Sequence, residues 1–154
     1  MKKINLDIVI NASREMVWDT IVDDANYRLW TSAFQETSYF EGGWNKGDTI
    51  RFLGINEKGE KEGMVSEIAE SVYPEYISIK HLGYIVNGVD DTTSEEIRKW
   101  APSFENYTLE KLEENKTLFK LDMDVTEEYY EMFMGLWPKA LAKLKEVSEK
   151  VYIH

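Results

Sequence analysis

The sequence contains no cysteine. That absence excludes disulfides, thiol nucleophiles, iron–sulfur clusters and cysteine-ligated zinc. Histidine occurs 2 times and proline 3 times. Imidazole chemistry therefore rests on His81, because His154 is the last residue. No apolar run approaches the roughly 18 residues that a membrane-spanning helix needs, so membrane insertion is not expected. The opening stretch Met1–Ile8 has two lysines but no apolar core, since Asn5 and Asp7 interrupt it, and it does not read as a signal peptide. No Lys/Arg run is present, and acids outnumber bases 29 to 18, for a formal charge of −11. Phosphate affinity comes mainly from Lys and Arg, so nucleic acid is not an expected partner. The sequence also lacks a phosphate-cradling glycine loop, a G-x-S-x-G elbow and an H-E-x-x-H pair. No cofactor and no metal follow from its motifs, and a cytoplasmic protein is the expectation.

What is present is apolar bulk. Hydrophobic residues make up 43% of the 154, and charged residues 31%, against about 25% in an average soluble protein. The length predicts a single domain over 1–154, able to hide roughly 68–70% of the surface of its unfolded chain. With 5 Trp, 9 Tyr, 6 Phe and 6 Met, much of the core must be aromatic and thioether.

Periodicity divides the chain. Ile4, Leu6, Ile8 and Ile10 alternate with polar positions, as in a half-buried strand. Asn11 or Ser13 then offers an N-cap to a helix over 14–22, and Asp23-Asp24 breaks it. Tyr27, Trp30 and Phe34 mark a second short helix, about 24–34. From 36 to 125 the period is two. Strands are predicted over 37–42, 49–53, 62–70, 76–82, 104–112 and 117–125. Residues 83–103 interrupt them with a long connection whose Glu95–Trp100 portion reads as one or two helical turns; such connections are more often functional than idle. A three-residue loop Glu113-Glu114-Asn115 predicts the pairs Leu109 with Phe119 and Tyr107 with Leu121. Thr126 caps a helix from 127 to about 150, roughly 36 Å long, with Tyr130, Phe133, Trp137, Leu141, Leu144 and Val151 as its apolar stripe. Pro138 should kink it, with Gly135 easing the bend. The order is α+β: seven antiparallel strands, two short helices after the first, and a long final helix.

Local motifs add to this order. They are Val17-Trp18-Asp19, Leu29-Trp30, Gly43-Trp44-Asn45-Lys46-Gly47-Asp48 before Ile50-Arg51-Phe52, and Gly63-Met64-Val65. Further along stand Trp100 ahead of Glu105-Asn106-Tyr107, and Trp137-Pro138-Lys139-Ala140-Leu141 with Leu144-Lys145. Order and motifs together resemble the START-like (SRPBCC, helix-grip) superfamily, and within it the small bacterial proteins related to the activator of heat-shock protein ATPase. The resemblance spans nearly the whole chain, and its motifs mark a fold better than an activity. It implies a curved sheet gripping the C-terminal helix around a cavity for small apolar or amphipathic molecules; members bind lipids, hormones and polyketides, and some are cyclases or dehydratases. The chaperone activators that share the fold also possess a separate chaperone-binding domain, for which this length leaves no room.

Candidate site residues follow. His81 is in phase with Ile77 and Ile79, and Glu105 with Tyr107 and Leu109. If their strands are neighbours, the two face one cavity as an acid/base couple or as anchors for a ligand's polar end; otherwise His81 is a satisfied core histidine and Glu105 a rim carboxylate. Arg51 is placed beside them. Trp30, Phe34, Phe52, Met64, Trp100, Tyr107, Met123, Phe133, Trp137 and Leu141 either line a pocket, with Gly83–Trp100 as its lid, or simply fill it. Asp90-Asp91 with Glu95-Glu96 lacks metal-ligand spacing and reads as a solvated loop and helix cap. The leading expectation is non-covalent binding of a small apolar or amphipathic ligand, with no catalytic residue. A cyclase- or dehydratase-type enzyme using His81 and Glu105 is the second reading. A protein-interaction module, such as a chaperone regulator or a homodimer, is the third.

Overall fold

A computed structural model describes residues 1–153, with side chains through Lys150. Val151 and His154, named above, lie outside the described side chains. Strand β1 (Lys2–Ile10) opens the chain and buries Ile4 and Ile10 by alternation. Ser13, not Asn11, caps helix α1 (Arg14–Val22), accepting from the Met16 N–H at 3.2 Å. Asp23 ends α1 and caps α2 (Asp24–Trp30) through the Asn26 N–H at 3.1 Å. A 3-10 turn, Thr31–Ala33, follows.

The sheet is built from β2 (Tyr39–Gly42), β3 (Thr49–Ile55), β4 (Lys61–Val72), β5 (Tyr76–Val86), β6 (Val89–Asp91), β7 (Ser103–Glu113) and β8 (Lys116–Val125), joined by β1. Its order is β1-β8-β7-β5-β4-β3-β2, with β6 pairing the end of β5. A short helix α3 (Glu95–Arg98) lies between β6 and β7, and α4 (Glu127–Ile153) closes the chain. The register pairs Leu109 with Phe119 and Tyr107 with Leu121, as the sequence predicts. The hairpin is tighter than expected: Glu113 pairs with Lys116, and an irregularity between Lys111 and Glu113 restores the register beyond.

One difference from expectation has a local cause. Strand β5 does not stop at Leu82. A register shift between Val65 and Ser66 steps its pairing from Gly83 to His81, so Leu82 is an extra residue. The strand thus runs on to Val86 with its phase reversed, and Tyr84 takes the face that His81 holds below. The hairpin to β6 then folds close: a Cβ at Gly83 would lie 2.0 Å from the Asp91 carbonyl oxygen, contact that only glycine permits. The acids of this segment hold structure. Asp90 pairs with Arg51 at 2.7 Å, and Asp91 accepts from Ser94 N–H at 3.1 Å ahead of α3.

The main core lies between the inner sheet face and α1, α2 and α4, around Trp30, Ile50, Ile68, Ile77, Ile79, Tyr107, Leu109, Phe119 and Leu121. Each such side chain contributes about 1.5–3 kcal/mol by leaving water. Helix α4 is used unevenly. Beyond Pro138, Ala140, Leu141, Leu144 and Val147 are buried. Ahead of it, Tyr130, Phe133, Met134 and Leu136 are only half-buried, and Tyr129 and Met132 are exposed. The rear half is also tied to β1, where Lys145 donates to the Val9 carbonyl at 3.1 Å and Glu149 accepts from Asn11 N–H at 2.9 Å. Pro138 sits within the helix without ending it. Among the described residues no helix is long and apolar enough to cross a membrane.

Candidate functional site

The front half of α4 stands over a cavity of about 520 Å³, within the range of small-molecule sites. Trp30 comes to it from α2, and Phe34 from just beyond the 3-10 turn. Phe52 comes from β3, Met64 from β4 and His81 from β5. Trp100 precedes β7, which supplies Glu105 and Tyr107. Met123 comes from β8, and Phe133 and Trp137 from α4; all of these line the hollow. Tyr27, Tyr84 and Ser103 join them, as do the exposed Met1, Val86, Tyr129 and Met132. The segment 83–100 is not a free flap. It is a strand, a hairpin and a helical turn fixed by buried Ile97, and it builds one wall through Tyr84 and Trp100, whose rings lie 4.7 Å apart.

Two expected site residues are elsewhere. Arg51 lies between Ile50 and Phe52, which face inward, so strand alternation turns it to the outer face and Asp90. Leu141 is one helical turn past Trp137, in the filled rear half of α4, where it is buried and does not reach the cavity.

A line of four polar side chains reaches the cavity wall. His81 Nδ1 is 2.7 Å from Ser66 Oγ, and His81 Nε2 is 2.9 Å from Glu105 Oε1. Tyr107 O–H donates to Glu105 Oε2 in a short hydrogen bond. With Glu105 as carboxylate and the imidazole proton on Nε2, each link has one proton: Tyr107 and His81 donate to Glu105, and Ser66 donates to His81. Ser66, wholly buried, was not among the expected residues. Its signal was available, because it is in phase with Met64 and Ile68 on β4 and so occupies an apolar position.

The surroundings are aromatic. The Tyr107 ring centroid lies 6.4 Å from Trp30, 6.3 Å from Trp137 and 5.4 Å from Phe119, and Phe34 lies 4.9 Å from Trp137. Burial, and then the Glu105 charge, push the Tyr107 phenol well above its ordinary range. The same two causes raise Tyr27. Both therefore remain neutral hydroxyls at physiological pH. Among the described residues no three His, Cys, Asp or Glu side chains gather to hold a metal. The arrangement can bind an apolar body and address one polar head; its His–Glu couple can also exchange protons with a guest.

No family model matches the sequence, and no curated protein does. Solved structures do. A protein from Nitrosomonas europaea superposes with a TM-score of 0.73 at 10% identity, covering 99% of this chain and 97% of its own. A protein from Cytophaga hutchinsonii gives 0.71 at 16% identity, covering 100% and 98%. The solution structure of an Aha1 dimer from Colwellia psychrerythraea gives 0.68 at 20% identity, covering 97% of both chains. With a curved antiparallel sheet closed on a long last helix, the chain shares the helix-grip fold of these structures, that of the Aha1 dimer among them.

Proposed function

We propose that the protein binds a small apolar or amphipathic molecule, non-covalently, in the cavity between the curved sheet and the front half of α4. One observation carries this reading. The hollow of about 520 Å³ is walled by Trp30, Phe34, Phe52, Met64, Met123, Phe133 and Trp137, and a hydrogen-bonded polar line, Ser66–His81–Glu105–Tyr107, reaches its wall. Apolar walls supply affinity at roughly 25 cal/mol per Å² of surface removed from water. The polar line sets which end of the guest goes in first. Thermal-shift screening of a lipid and aromatic library tests the reading: a ligand that binds only the folded state raises Tm in proportion to the logarithm of its concentration. A flat response across the library would overturn it.

A second reading has its own support. The 2.9 Å contact between His81 and Glu105, both lining the cavity, is the geometry that a cyclase- or dehydratase-type acid/base couple requires. Under that reading, incubation with cyclisable polyketide-like or hydroxy-carbonyl compounds yields turnover that His81→Gln abolishes. Binding without turnover would favour the first reading.

A further inference from the structure

We propose that the guest's polar head is a primary ammonium group, so that the cavity takes apolar amines and refuses the matching carboxylates. The inference rests on the cavity-binding reading and names the ligand class of that site.

The argument is an inventory of donors and acceptors. The indole N–H of Trp30 and of Trp137 and the donors of the polar line are already engaged, while the lining hydroxyls of Ser103, Tyr84 and Tyr129 can donate or accept and so do not choose between heads. Trp30 Nε1–H is directed at the Ile21 carbonyl at 3.5 Å, and Trp137 Nε1–H at Met123 Sδ at 3.1 Å. Tyr107 O–H donates to Glu105, and so does His81 in the tautomer that carries its proton on Nε2. Trp100 Nε1–H and Thr126 Oγ1 have no partner among the described residues, but both are covered by the protein and no guest reaches them without moving the wall. The acceptors are not used up. Each Glu105 oxygen takes one donor in the structure and has a second lone pair to offer.

Charge points the same way. Among the described residues no Lys or Arg lines the cavity. Glu105 is inside it, and Glu62, in phase with Met64 on β4, lines it with no ion pair among the described residues. Asp124, which also lines the cavity, pairs with Lys3 at 2.7 Å. A carboxylate guest would be buried beside Glu105 without a counter-ion, which costs several kcal/mol. An ammonium would neutralise Glu105 and present its charge to the negative ring faces of Trp30, Tyr107 and Trp137.

Isothermal titration of the full chain at roughly 0.15 M salt, with phenylbutylamine, phenylbutanol and phenylbutyrate as probes, holds the apolar body constant and varies the head. The amine is expected to bind roughly 10- to 100-fold more tightly than the acid, with the alcohol between. Glu105→Gln is expected to bring the amine down to the alcohol's affinity. If the acid binds as well as the amine, the ligand class is wrong and the cavity reading stands. If none of the probes binds, the inference fails, and the library screen decides the cavity reading. An amine preference that survives Glu105→Gln assigns it to the overall charge of −11 and overturns the inference. Should that variant not fold, raising the salt around the native protein decides: a preference that fades with screening is general attraction and overturns the proposal, and one that persists supports it.

Discussion

His81 Nε2 lies 2.9 Å from Glu105 Oε1, although the two residues are not cross-strand partners. The register sets His81 opposite Ser103 and Glu105 opposite Ile79. The contact is diagonal, which only side chains of this length can make, and it leaves Ser103 directly across from the imidazole. Ser66 faces His81 from the other neighbouring strand. The ring is therefore held from both sides of its own strand.

Removing the Ser66 hydroxyl tests that clamp. Ser66→Ala leaves His81 Nδ1 buried without a partner, and the loss is expected to be about 1–3 kcal/mol in urea denaturation. A loss below about 0.5 kcal/mol, the scatter of neutral substitutions, would show that the hydroxyl does not hold the ring.

The two halves of α4 should respond differently to truncation. Leu144→Ala opens a void in the filled half and is expected to cost about 2–5 kcal/mol. Phe133→Ala enlarges a space that already exists and should cost nearer 1 kcal/mol, the middle of ordinary single-site effects. Equal losses would mean that the front of the helix is packed as tightly as the rear.

Gly135 is exposed inside α4, and a Cβ there would meet nothing within 4 Å. Gly135→Ala is therefore expected to stabilise the protein by roughly 0.5–1 kcal/mol. Destabilisation instead would reveal a bend in the helix that needs glycine.

Stability should fall at both extremes of pH, with opposite causes. Tyr107 and Tyr27 are raised when folded, by burial first and then by Glu105. Their contribution is complete below the ordinary phenol value of about 10 and is lost as pH climbs past it, because the unfolded chain releases those protons first. At Asp124, burial works to raise the pKa, but Lys3 and the Phe104 N–H outweigh it and hold the carboxyl low. That contribution is complete above the ordinary carboxylate value of about 4 and is lost as pH falls through the lowered one. Denaturation midpoints measured across pH, with Tyr107→Phe as control, check the alkaline limb: the variant should lose less stability there than the native chain. An unchanged slope would count against the burial of that phenol.

Much of this architecture was legible in the residues. The alternation of Tyr107 and Leu109 against Phe119 and Leu121 was enough to set the β7–β8 register. The inward phase of His81 and Glu105 followed from their neighbours Ile79 and Tyr107. Arg51 does not join them: its neighbours Ile50 and Phe52 face inward, and strand alternation alone turns it outward. The extension of β5 was not legible, because the extra residue Leu82 reverses the alternation and a broken period resembles a strand's end. The hollow was not legible either. Phe133 and Leu144 look alike on a helical wheel, and only the distance between helix and sheet distinguishes a lining side chain from a filling one.

Proline at 138 has a dynamic consequence. Lacking an N–H, it leaves the Met134 carbonyl without its helical donor, at the point where the anchored rear of α4 gives way to the front. The backbone thus has a weak seam along its axis. Amide exchange should show two tiers in this one element: slow protons behind the seam that exchange only when the whole protein opens, and faster ones ahead of it released by local fraying. Fraying confined to that front half would uncover the hollow beneath it while the rest of the molecule stays shut.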